Sequence, residues 1–120
     1  MPINRTLVIG ANFVLAEEDR RRNIFNCMKG IPLSSFSEQR TTLNAGVYIN
    51  GSTSYSSITF SVQDVFVLVV DNPVELTVTN NGGSTVLTVS DMFIITGQVS
   101  TILVTNKSTT EIATINTIVG

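Results

Sequence analysis

The sequence predicts an all-β chain, an antiparallel β-sandwich or jelly roll preceded by a charged N-terminal arm. Three observations carry that expectation. Val, Ile and Thr dominate the last two-thirds of the chain, and β-branched residues fit a pleated surface better than a helix. Turn signals recur there at about 8–12-residue spacing, the cadence of short antiparallel strands. Charge is scarce and unevenly placed. Charged residues make up 13% of the 120, about half the usual share, and residues 1–40 carry a net +2 while residues 41–120 carry a net −4.

The N-terminal stretch Leu7–Ala16 reads as a strand followed by a turn. It imitates a signal peptide only weakly, because Gly10 and Asn12 interrupt the apolar run and Arg5 alone precedes it. Residues Ala16–Gly30 support two readings. As a helix, Glu17 with Arg21 and Glu18 with Arg22 form i,i+4 pairs, and Gly30 followed by Pro32 forms a stop. As a strand, Arg22–Cys27 pairs across a sheet. Ser34–Asn44 is polar and reads as a loop or linker. The expected division is therefore an arm or docking segment over 1–40 and a β domain over 41–120.

From residue 45 the strands follow in order. Ala45–Ile49 ends at Asn50-Gly51, a dipeptide that accepts positive φ and suits a tight turn. Ser57–Val62 and Val65–Val70 come next, and Asp71-Asn72-Pro73 then breaks the ladder, since proline has no N–H to donate. Val74, Leu76 and Val78 alternate with Glu75, Thr77 and Thr79, the period of a half-buried strand. Asn80-Asn81-Gly82-Gly83 turns the chain back into Val86–Val89. Phe93–Thr96 stops at Gly97, Val99–Thr105 stops at Asn106-Lys107, and Ile112–Val119 closes the set.

The composition excludes several chemistries. There is no His, no Trp and one Cys, Cys27, which removes Ser-His-Asp and Cys-His catalysis, histidine metal sites, zinc clusters and intrachain disulfides. Cys27, with no histidine to activate it, reads as a small buried hydrophobe. Asp64, Asp71, Glu75 and Asp91 fall at strand ends and turns without ligand spacing, so they read as turn chemistry. Three Asn-x-Ser/Thr matches, at Asn4, Asn50 and Asn106, occur in Asn-rich stretches where the pattern arises by chance. The longest unbroken apolar run, Val65–Val70, is far short of the ~20 residues of a helical membrane span. No enzyme activity, cofactor or metal is expected.

Arg20-Arg21-Arg22 follows Glu17-Glu18-Asp19, so its field is nearly cancelled, and no aromatics are interleaved for base stacking. Contact with a neighbouring protein is the better use of these arginines. Ile24, Phe25 and Met28 stand beside them as apolar anchors. The low charge and positive mean hydropathy also suit a chain that sits against other subunits.

The C-terminal half carries a family resemblance. Val99-Ser100-Thr101-Ile102-Leu103-Val104-Thr105-Asn106, the loop Lys107–Thr110, and the final run Glu111-Ile112-Ala113-Thr114-Ile115-Asn116-Thr117-Ile118-Val119-Gly120 resemble small virion proteins of tailed bacteriophages. The likeness is to capsid decoration (cement) proteins and head or tail accessory proteins. It implies a β-sandwich or jelly roll, self-association (often as trimers), attachment to the major capsid protein or other virion subunits by an arm or sheet edge, and location in the virion. The residues themselves lead to no expected nucleic-acid or membrane partner. The competing class is a secreted or tail-associated carbohydrate-binding or adhesive β-module, whose aromatic platform would have to come from Tyr48 and Tyr55 around the Asn50-Gly51 turn.

Overall fold

The computed structural model describes residues 5–18, 20–97 and 99–120, without the side chains of Leu15, Glu17 and Ile24. All regular structure among these residues is β-strand, paired antiparallel throughout, with no helix. The chain separates into two compact units, Met1–Ser34 and Ser35–Gly120.

The first unit is a long hairpin of β1 (Arg5–Glu17) and β2 (Arg20–Leu33). Pairing runs from Arg5 opposite Leu33 to Glu17 opposite Arg20, with one irregularity where the register steps over Ile24. This resolves Ala16–Gly30 as strand and overturns the helical reading. The physical reason lies outside that segment. Two i,i+4 ion pairs are worth only about 0.2–0.5 kcal/mol each. Against them stands an alternating partner, Leu7, Ile9, Ala11 and Phe13, that meets β2 rung by rung.

The second unit holds β3 (Ser37–Leu43), β4 (Val47–Ile49), β5 (Ser52–Ser54), β6 (Ser57–Ser61), β7 (Val65–Val70), β8 (Val74–Asn80), β9 (Gly83–Val89), β10 (Met92–Thr96), β11 (Thr101–Thr105) and β12 (Ala113–Val119). Two four-stranded sheets form, ordered β10-β7-β12-β3 and β6-β11-β8-β9, with β4 and β5 as a separate small hairpin. Phe66, Leu68, Val70 and Ile115 of the first sheet and Phe60, Leu76, Ile102 and Val104 of the second belong to one buried cluster. The alternation predicted for Val74–Thr79 brings Val74 and Leu76 into the core, and β12 buries Ala113, Ile115 and Thr117 in the same one-in-two way.

Turns behave as their residues require. Asn50 and Gly51 both take positive φ (51° and 85°), as a two-residue hairpin turn demands, and Gly97 ends β10 at φ 100°. Asn106 is wholly buried. Its amide donates to the carbonyls of Leu43 (3.0 Å), Asn44 (3.2 Å) and Glu111 (2.9 Å), while its oxygen accepts from the Ser108 amide at 3.1 Å. One side chain therefore ties the end of β3 to the loop before β12.

Ser34–Asn44, read from sequence as a linker, contains β3, which pairs with β12 from Ser37 opposite Val119 to Leu43 opposite Ala113. The division between units falls accordingly at Ser34/Ser35 and not after residue 40. Polar Ser-Glu-Gln-Arg-Thr-Thr forms a strand here because it lies at a sheet edge, where only its end, Leu43, is buried.

Candidate interaction surfaces

In the hairpin, directly opposed residues share a face. One face carries the pairs Leu7/Ile31, Ile9/Lys29, Ala11/Cys27 and Phe13/Phe25; the other carries Thr6/Pro32, Val8/Gly30, Gly10/Met28 and Asn12/Asn26. The first face is apolar apart from Lys29. The second is mainly small or amide-bearing, with Val8 and Met28 as its large apolar members. No described residue of the hairpin is fully buried. Phe13 and Phe25 stack with centroids 4.5 Å apart at 28°, yet remain 46% and 53% exposed. This is an amphipathic ribbon about 40 Å long with its apolar face only half covered.

The residues singled out from sequence all lie on β2, but not as one patch. Arg20, Arg21 and Arg22 are exposed beside the hairpin turn, with strand alternation sending Arg21 to the side opposite Arg20 and Arg22. Phe25 and Met28, three residues apart, point to opposite faces; Met28 is the more exposed at 76%. The side chain of Ile24 lies outside the described residues. Sequence reasoning missed the other half of the apolar face, which β1 provides through Leu7, Ile9 and Phe13. The signal was there in the alternation of Leu7-Val8-Ile9-Gly10-Ala11-Asn12-Phe13. Cys27 is half-buried on this face and not in the core.

Other candidates resolve into local structure. The Asp71 carboxylate accepts from the Thr114 amide at 2.7 Å and the Asn72 side chain donates to the Ile112 carbonyl at 2.8 Å, so this turn fastens the start of β12. Among the described residues no three His, Cys, Asp or Glu side chains are grouped to hold a metal. Of the Asn-x-Ser/Thr matches, Asn106 is buried, Asn50 sits on an exposed turn and Asn4 lies outside the described residues. Tyr48 and Tyr55 are both exposed, and the Lys107 Nζ lies over the Tyr55 ring, 4.5 Å from its centroid.

The two sheets of the second unit differ on their outer faces. Over β6-β11-β8-β9 the rows read Ser61-Thr101-Thr79-Ser84, Thr59-Leu103-Thr77-Val86 and Ser57-Thr105-Glu75-Thr88, a hydroxyl-rich face in which Leu103 and the exposed Val86 are the apolar members. Over β10-β7-β12-β3 they read Ile94-Val67-Ile118-Glu38 and Met92-Val69-Asn116-Arg40. Met92, Ile94 and Val69 are 61%, 42% and 40% exposed. Among the described residues, exposed apolar side chains thus gather on the hairpin and on the β10-β7 end of this sheet. No protein-family model, curated protein or solved structure matches the chain.

Proposed function

We propose that the chain is a structural virion protein, a capsid decoration or cement protein that attaches to a coat lattice and stabilises it. The observation that carries this reading is the β1–β2 ribbon, whose apolar face and stacked Phe13/Phe25 pair lie outside the core. A lone two-stranded hairpin is marginal in water. Covering such a face on a neighbouring subunit would contribute about 1.5–3 kcal/mol for each fully buried large side chain. The ribbon is the docking arm in this reading, and the exposed Arg20–Arg22 steer and orient it.

The body is read as a jelly-roll β-sandwich. Lettering β3 and β6–β12 in chain order from B to I turns the two sheets into B-I-D-G and C-H-E-F, the strand order of that fold. Jelly rolls serve viral capsid proteins and lectins alike, so the fold alone does not choose between them; the uncovered ribbon favours attachment within an assembly. The second reading, a carbohydrate-binding or adhesive module, draws on the exposure of Tyr48 at the β4–β5 turn. Mass spectrometry of purified particles from the chain's source tests the first reading. A fixed copy number per particle is expected, and absence from the particles together with specific retention on a glycan array would replace it by the second.

A further inference from the structure

We infer that the outer face of the β10-β7-β12-β3 sheet is a self-complementary surface whose partner is a second copy of this chain, related by a two-fold axis. The face consists of two adjacent rows, Ile94-Val67-Ile118-Glu38 and Met92-Val69-Asn116-Arg40. Its apolar end is exposed on β10 and β7, and a shallow groove of ≈ 420 Å³ runs over β12 toward the charged pair on β3. Glu38 and Arg40 stand two residues apart on one edge strand. Neither has an ion-pair partner among the described residues.

An axis crossing the strands between the two rows exchanges them. Ile94 then meets Met92 of the second copy, Val67 meets Val69, and Glu38 meets Arg40, each contact occurring twice, as an isologous interface requires. Asn116 meets Ile118 between the apolar and charged pairs, the one mixed contact of the seam. An axis along the strands would instead set Ile94 against Glu38, leaving a carboxylate on apolar surface. The charges therefore select one of two stackings. From strand spacing and rise the face covers on the order of 400 Å² per copy, half of what a stable complex buries on each side. The dimer is accordingly weak and concentration-dependent, and gains occupancy where copies are held close together. It uses none of the hairpin's residues.

Sedimentation equilibrium of the full chain from about 10 μM to about 1 mM tests this, with circular dichroism to verify each variant's fold. The substituted positions are exposed, so the core is untouched. Self-association is expected for the unsubstituted chain. Glu38→Arg or Arg40→Glu alone should raise the dissociation constant about tenfold, by replacing two attractive contacts with two repulsive ones. The double variant E38R/R40E should restore it, and an equimolar mixture of the two single variants should form a heterodimer. Val69→Lys should abolish association over this range. A monomeric unsubstituted chain, or single reversals without effect, would overturn the inference; so would a double variant no better than the singles. Association that persists in Val69→Lys but vanishes with Phe25→Ala would assign it to the hairpin instead, leaving the docking-arm reading intact.

Discussion

The hairpin and the two-sheet unit are built from the same kind of strand, yet only one of them has a core. Both alternate apolar and polar residues, and both pair antiparallel. In the second unit both four-stranded sheets contribute to one buried cluster, in which Phe66, Leu68, Leu76, Ile102 and Ile115 are fully buried. In the first, Phe13 and Phe25 stack on one another but stay about half exposed, and no described residue of the hairpin is fully enclosed. Pairing and alternation are properties of a ribbon; burial needs a second layer. A ribbon that keeps the alternation but lacks that layer leaves its apolar face partly exposed.

The contrast is broken most severely at the core. Phe66→Ala should lower the stability of the second unit by about 3–5 kcal/mol, read as a fall in the denaturation midpoint with the slope unchanged. Loss of less than about 1 kcal/mol would mean that the two sheets do not enclose Phe66 as described. Next comes Asn106→Ala. It deletes three donated bonds and leaves the Leu43 carbonyl without its side-chain partner, at a cost of about 2–3 kcal/mol. Chemical denaturation checks this, and a neutral result would show that water replaces the amide.

On the hairpin the order of effects should invert. Phe25→Ala should change the unfolding midpoint of the second unit by no more than an ordinary surface substitution, within about 0.5 kcal/mol. It should weaken assembly by more than Arg21→Ala does, about 1.5–3 against about 0.2–1 kcal/mol. Added salt should weaken assembly only modestly, since the apolar face carries most of the contact. A binding titration at two ionic strengths distinguishes these cases. Arg21→Ala exceeding Phe25→Ala, with steep salt dependence, would make the arginines the anchor.

Much of the second unit was legible because its signals are local. Asn50-Gly51, Asp71-Asn72-Pro73, Gly97 and the alternation from Val74 each announce their structure within a few residues. β3 was not legible. Its polar residues show no alternation, and its one partner, β12, lies some seventy residues away, so only the closed sheet reveals it. Residues 16–30 were ambiguous for a related reason: Glu17 and Arg21 satisfy helical spacing, and the competing evidence sits in β1. The apolar anchor was half legible. Phe25 stands out in any reading, but its companions are set by register, which pairs it with Phe13 and sends Met28 to the opposite face.

The central claim is a division of labour, in which the second unit folds by itself and the hairpin attaches it. A chain beginning at Ser35 tests this directly by cosedimentation with virions from its source, after its β-sheet dichroism and cooperative melting have been verified. The account predicts a folded protein that stays in the supernatant while the full-length chain pellets with the particles. A folded Ser35–Gly120 chain that still pellets with them at full-length stoichiometry would contradict it.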